Sequence, residues 1–111
     1  MFEKNMNIGY LLDFYGEILP ERKRSVMEMY YNEDLSLAEI AEEIEISRQG
    51  VRDIIKKSTD ELLFYEDKLG LAKKLRNIRS HAEHLTALAS ELNLPREFAS
   101  EVETLVRLTS E

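Results

Sequence analysis

The sequence predicts an all-α protein, and three observations carry that prediction. Apolar side chains recur at the spacing of an amphipathic helix along most of the chain. Helix-disrupting residues are scarce, with only four Gly and two Pro among 111 residues. The composition, 43% hydrophobic and 33% charged, is typical of a folded helical domain rather than of a disordered chain. We therefore expect helices throughout and no strands.

Length and composition narrow the possible functions. A chain of 111 residues is long enough for one modest core. Cysteine is absent, which excludes a disulfide framework and a thiol nucleophile. The first residues show neither a signal sequence nor a run long enough for a membrane span, so we expect a cytoplasmic protein without membrane contact. The formal net charge of −7, from 22 acidic and 15 basic side chains, favours a protein partner over nucleic acid unless the basic residues are concentrated on one face.

The first two helices follow from periodicity and from one proline. Apolar residues between Ile8 and Leu19 recur at helical spacing, which predicts a first helix from about Asn7 to Leu19. Pro20 ends that helix and opens the next, predicted over residues 21–31. The polar residues 32–34 predict a turn.

Two helix caps delimit the next pair of helices. Ser36 followed by Glu39 is a capping box, which predicts a short helix starting at Leu37. Ser47 is a second N-cap candidate, and the helix after it is expected to continue until Gly70. Two helices that are joined by a tight turn, each burying aliphatic residues against the other, predict a helix-turn-helix.

The second of these helices has one apolar side and one basic side. In a helix-turn-helix the N-terminal residues of the second helix face base edges, and Arg and Gln suit guanine and adenine respectively. The base-reading candidates are Ser47, Arg48, Gln49 and Arg52. The candidates for phosphate contact are Arg22, Lys23, Arg24, Ser36, Lys56 and Lys57. The alternative interpretation is a basic face that is merely exposed to water.

The same residues carry a resemblance to known families. The stretch "LPERKRSVMEMYYNEDLSLAEIAEEIEISRQGVRDIIKKS", residues 19–58, resembles region 4 of bacterial sigma factors, which reads the promoter −35 element. Residues 10–71, with "LDFY", "SLAEIA" and "SRQ" before a basic helix, resemble the YlxM family of small bacterial proteins. That resemblance implies a DNA-binding helix-turn-helix without a wing, and a link to the signal recognition particle pathway.

Two features weigh against strong DNA binding. Position 50 is Gly where members of the resembled family more often carry Ala, and an interior Gly costs a helix about 1 kcal/mol. It permits close approach of the backbone to DNA, or it indicates that groove reading is relaxed in this chain, or it is neutral. Glu39, Glu42 and Glu43 share one side of the first helix of the pair, where they would repel phosphates if they faced them.

Beyond Gly70, apolar residues recur in alternating steps of four and three, which predicts a heptad seam. Its members are Leu71, Leu75, Ile78, Ala82, Leu85, Ala89 and Leu92. A final helix is expected after Pro95. We therefore expect two domains, a helix-turn-helix domain over residues 1–69 and a helical hairpin or coiled-coil extension over residues 70–111. The seam holds either the hairpin itself or a homodimer.

No residues predict catalysis or a cofactor. His81 and His84 flank Glu83, but the sequence supplies no third ligand, and an exposed helix face is the favoured interpretation over a metal site. The sequence therefore predicts a non-enzymatic protein that binds double-stranded DNA and regulates transcription. The alternative is a protein-interaction module that contacts a component of the signal recognition particle, and RNA is a third possible partner.

Overall fold

The computed structural model describes residues 5–110, which form six α-helices and no strand. The helices are α1 (Met6–Tyr15), α2 (Glu21–Tyr31), α3 (Leu37–Ile44), α4 (Arg48–Leu69), α5 (Leu71–Glu91) and α6 (Arg96–Leu108). A 3₁₀ turn, Gly16–Ile18, follows α1. The all-α prediction is confirmed. The chain divides at Gly70 into two compact units, residues 1–69 and 70–111.

The first helix is shorter than predicted. It ends at Tyr15 instead of Leu19, and the 3₁₀ turn carries the chain onward. Leu19 is extended, with φ −68° and ψ 144°. Pro20 explains the extended Leu19, since the ring of a proline disfavours the helical conformation at the preceding residue, whereas the change from α-helix to 3₁₀ turn at Gly16 lies beyond its reach. The helical periodicity of the apolar residues therefore outlasts the α-helix itself.

The 22-residue α4 is the centre of the first unit and packs against α1, α2 and α3. One of its sides is fully buried at Val51, Ile55, Ser58 and Leu62. One hydrogen bond and one aromatic contact, both made by Tyr15, support this packing at the far end of the helix. The Tyr15 hydroxyl donates to the Glu66 carboxylate over 2.6 Å, and the Tyr15 and Tyr65 ring centroids lie 6.0 Å apart.

The second unit is a pair of helices, α5 and α6, that pack against each other. Gly70 begins this unit in the left-handed conformation, at φ 62°, which glycine adopts without strain. Within the described range 5–110, no helix is long and apolar enough to span a membrane.

Candidate nucleic-acid interface

Helix α3 begins with the predicted capping box. The Ser36 hydroxyl accepts from the Glu39 backbone N–H over 3.1 Å, and the Glu39 carboxylate accepts from the Ser36 N–H over 2.9 Å. Together these bonds satisfy two backbone donors that the helix itself cannot satisfy. The backbone N–H of Ser36, and to a smaller extent its side chain, also hold the pKa of the Glu39 carboxyl group below its ordinary value by hydrogen bonding to the carboxylate.

The turn between α3 and α4 depends on one unusual residue. Glu45 adopts the left-handed conformation, with φ 58° and ψ 47°. Its N–H and that of Ile46 both bond to the Ala41 carbonyl oxygen, the latter over 3.1 Å. The helix ends there, and the chain turns within residues 45–47. Sequence reasoning missed this feature, because Glu has no preference for a positive φ.

Helix α4 then begins at the second predicted cap. The Ser47 hydroxyl accepts from the Gly50 N–H over 3.0 Å, which is the hydrogen bond expected of an N-cap serine. The short connection between α3 and α4 therefore places the first two helical turns of α4 at the surface, beside α3. The base-reading candidates Ser47, Arg48, Gln49 and Arg52 are all exposed there.

The two sides of α4 differ sharply in the same turns. Val51 and Ile55 are completely buried, and they pack in the core that α3 closes with Ile40. Arg48 and Arg52 lie on the opposite, exposed side. Within residues 5–110, neither arginine has a carboxylate at ion-pair distance. Both guanidinium groups are therefore available to a ligand with acceptor oxygens.

Other candidates on α4 have partners on the same helix. The Gln49 side-chain amide donates to Asp53 over 3.0 Å. Lys56 Nζ lies 3.7 Å from Asp60 Oδ2, and the exposed fraction of the side chain is 75% for Lys56 and 65% for Asp60. An ion pair this exposed contributes little and is readily exchanged for a stronger partner. Lys57 is exposed as well.

The three basic residues at the start of α2 have different environments. Arg22 is exposed. Arg24 Nε lies 3.6 Å from Oε1 of Glu28, which is one helical turn further along α2. Lys23 forms an ion pair and hydrogen bond with Glu61 of α4, and about a quarter of its side chain is exposed. Lys23 therefore links α2 to α4, and no local sequence pattern indicates a partner 38 residues away.

Gly50 faces the inside of the turn. A Cβ at this position would lie 3.2 Å from Ile46 Cδ1 and 3.3 Å from Ser47 Oγ. The missing methyl group thus makes room for the cap and for Ile46. The hypothesis that this glycine opens the backbone to a duplex has no support from this geometry.

Acidic side chains lie at the C-terminal end of α3, the end opposite its capping box. Glu42, Glu43 and Glu45 are exposed and line a shallow concavity with Leu35. Glu39 lies at the same concavity, with its carboxylate engaged in the capping box. A polyanion approaching α4 meets Arg48 and Arg52 favourably but is repelled where these carboxylates face it.

Two helices joined at residues 45–47, each with its own N-cap and with their aliphatic faces packed together, define a helix-turn-helix protein. Comparison with known proteins agrees with this class. The family model of UPF0122, described as "Putative helix-turn-helix protein, YlxM / p13 like", matches residues 2–102.

Individual relatives give the same result. The chain is 51% identical to a UPF0122 protein of Clostridium kluyveri over 79 residues, which is 71% of each chain. It is 46% identical to a UPF0122 protein of Bacillus thuringiensis over 91 residues, covering 82% of this chain and 83% of the relative. It is 42% identical to the UPF0122 protein YlxM of Bacillus subtilis over 106 residues, or 96% of each. The chain belongs to the UPF0122 family of YlxM-like proteins, and the family predicted from the sequence is confirmed.

Proposed function

We propose that this protein binds double-stranded DNA through the N-terminal half of α4 and regulates transcription. The observation that carries the proposal is that the first turns of α4 have an exposed basic side and a buried apolar side. Arg48 and Arg52 are exposed and lack an acidic partner within residues 5–110, while Val51 and Ile55 on the other side anchor the helix in the core. A rigidly held helix with exposed arginines in its first turns suits base contacts in a major groove.

Phosphate contacts would flank these base contacts. Lys56 and Lys57 extend the basic side of α4, and Arg22 lies exposed at the start of α2. Each neutralised phosphate contributes about −0.9 to the slope of log affinity against log salt. With three to six such contacts, we expect a slope of roughly −3 to −5. Ser36, Lys23 and Arg24 are weaker candidates, because each already has a partner within the domain.

The decisive experiment is a titration of randomised duplex pools at low salt. The double variant Arg48→Ala/Arg52→Ala should lose affinity by about fivefold to 150-fold per arginine, because a bidentate base contact contributes about 1–3 kcal/mol. The matched control is Arg96→Ala/Arg107→Ala, which removes the same charge from exposed positions on α6. Equal loss in both variants would indicate unspecific charge attraction, and no binding by the unaltered chain would refute the proposal.

Salt dependence separates the two kinds of contact. Lys57→Ala should reduce the steepness of the salt slope by about 0.9, whereas a residue that reads bases should lower affinity without that change. A titration of duplex RNA in parallel tests the remaining nucleic-acid alternative. Preference for RNA would replace the DNA assignment.

A second candidate function rests on the acidic surface. The exposed Glu42, Glu43 and Glu45 adjoin the basic start of α4, so this part of the domain carries both charges. Such a surface suits a protein or ribonucleoprotein partner, and the YlxM resemblance suggests a component of the signal recognition particle. Pull-down after nuclease treatment discriminates: a stoichiometric partner lost in Glu42→Lys/Glu43→Lys but retained in Arg48→Ala/Arg52→Ala supports this function over DNA binding.

A further inference from the structure

The α5–α6 unit buries its small apolar residues and exposes its large ones. Its fully buried apolar residues are three alanines and one valine, namely Ala72, Ala82, Ala89 and Val102. By contrast, eight large apolar side chains are between 38% and 65% exposed: Leu71, Ile78, Leu85, Leu92, Leu94, Phe98, Leu105 and Leu108. Units of about 40 residues rarely sustain a fold without additional burial. The core of this unit is therefore incomplete.

The exposed side chains are ordered rather than scattered. Leu71, Ile78, Leu85 and Leu92 follow one another at intervals of seven residues along α5 and the residue after it. Phe98 and Leu105 repeat the interval on α6. A seven-residue apolar repeat is the pattern by which one helix packs against another. We call these six residues the apolar face.

A groove between the two helices lies within the apolar face. It has a volume of about 500 Å³, with Ala82 in the seam and Ile78, Leu85 and Leu105 along its walls. Lys74 and His81 border it on α5. The groove on the other side of the helix pair is polar, because Glu83, Thr86 and Glu103 line it together with Val106. Only one side of the pair is thus suited to apolar packing.

The charges of the unit are separated along its length. Residues 71–79 contain four basic side chains and no acidic one, whereas residues 83–103 contain five acidic side chains and one basic. Since α6 runs back along α5, its acidic first half lies beside the second half of α5. The unit therefore has a basic end at Gly70 and an acidic end at the connection between the helices.

From these observations we propose that the apolar face binds the apolar face of a second copy of this chain, in antiparallel orientation, to form a four-helix bundle. A twofold axis between Ile78 and Leu85 maps the four-membered row of α5 onto itself, so that Leu71 of one copy approaches Leu92 of the other. A twofold interface requires such a self-complementary surface. Four helices around one core also complete the burial that two cannot provide.

The charge distribution of the unit favours a second copy of this chain as the partner and an antiparallel orientation of the two copies. In the antiparallel pair the basic end of each copy lies beside the acidic end of the other, which brings Lys74 towards the acidic group of Glu97 and Glu101. In a parallel pair like charges would meet at both ends, and such contacts are repulsive. No foreign partner is needed to explain a surface whose apolar repeat and charges complement themselves.

The first test measures the association of the full chain by sedimentation equilibrium without DNA. The unaltered chain should be a dimer at micromolar concentration, and Ile78→Glu/Leu85→Glu should weaken the dimer by about 100-fold or more, since both changes place charge at the centre of the interface. The matched control is Ser80→Glu/Ala87→Glu, which adds the same charges at the same spacing on another, exposed side of α5. The control should remain dimeric.

The second test determines orientation by charge reversal. Lys74→Glu and Glu101→Lys should each weaken the dimer about fivefold to tenfold at low salt, and both changes in one chain should restore the affinity. In a parallel dimer the combined variant would gain nothing, because each reversed residue would still meet its own copy. This test alters exposed charged residues and leaves the apolar face intact, so it also holds if Ile78→Glu/Leu85→Glu unfolds the hairpin.

Three results would overturn the proposal. They are a monomer at all concentrations, a dimer that Ser80→Glu/Ala87→Glu disrupts while Ile78→Glu/Leu85→Glu does not, and failure of the double reversal to restore affinity. The proposal does not depend on DNA binding. A chain that dimerises without binding duplexes would refute only the proposed function.

Discussion

Gly50 offers a direct test of how the start of α4 is built. Replacing an interior helix glycine by alanine gains about 1 kcal/mol of helix propensity. At position 50 the new Cβ would lie 3.2 Å from Ile46 Cδ1 and 3.3 Å from Ser47 Oγ, so both atoms must shift by a few tenths of an ångström. Ile46 Cδ1 ends a flexible, half-buried side chain, and Ser47 is exposed. We therefore expect Gly50→Ala to stabilise the protein by about 0.5–1 kcal/mol.

Thermal denaturation followed by circular dichroism measures this gain. For a chain of this length the expected rise in Tm is about 2–4 °C. Gly9→Ala in α1 is the matched control, since its Cβ would meet only Tyr31 Cδ1 at an ordinary 3.6 Å. The control should gain the full helix propensity of about 1 kcal/mol. A lower Tm in Gly50→Ala beside a higher one in Gly9→Ala would show that Ile46 and Ser47 cannot yield.

The same variant tests what the glycine does for binding. The added methyl group points at Ile46 and at Ser47, and it requires Ser47 Oγ, a base-reading candidate, to shift by only a few tenths of an ångström, so DNA affinity should fall by much less than about tenfold at fixed salt. A tenfold loss of affinity, equivalent to about 1.4 kcal/mol, would mean that the duplex approaches the backbone at this residue. That result would refute the assignment of Gly50 to local packing.

Four further experiments test individual contacts. Glu45→Gly should raise the free energy of unfolding by about 0.5–1 kcal/mol in urea denaturation, because glycine relieves the left-handed strain at φ 58°; an unchanged or lower value would contradict it. Ser36→Ala should lower that free energy by about 1 kcal/mol through loss of the cap. The folded-state pKa of Glu39 lies below the ordinary 4.5, so its carboxylate stabilises the fold above that pH, and this contribution is lost as the pH falls through the folded value. Glu39→Gln should therefore flatten the acid limb of the stability curve, and an identical curve would show that the capping carboxylate plays no part. A double-mutant cycle of Lys23→Ala and Glu61→Ala should give a coupling of about 0.2–1 kcal/mol, as expected for a partly exposed pair, and zero coupling would remove the link between α2 and α4.

The sequence predicted best where a structure depends on neighbours in the chain. Both serine caps form the expected hydrogen bonds, and α2 spans the predicted residues, because capping and periodicity act over a single turn. The predicted end of α1 was wrong, since the helical period of the apolar residues continues through the 3₁₀ turn Gly16–Ile18 to Leu19, which precedes Pro20 and is extended.

The contacts that the sequence could not predict are distant or conformationally rare. The pairing of Lys23 with Glu61 depends on how α2 crosses α4, and no local pattern encodes that crossing. The left-handed Glu45 is stabilised by the surrounding turn against its own preference. The base-reading residues and the DNA target stay predictions, because exposure and charge describe what a surface offers and do not identify its ligand.

The two-sided construction of α4 has a consequence for how such a protein changes over time. The residues that hold the helix in the core, Val51, Ile55 and Leu62, alternate with those proposed to read DNA, Arg48 and Arg52. Substitution of an exposed reader leaves the core packing intact, and surface changes of that kind usually cost less than about 0.5 kcal/mol. Recognition can therefore drift or be redesigned one residue at a time on a scaffold whose stability is carried by other side chains.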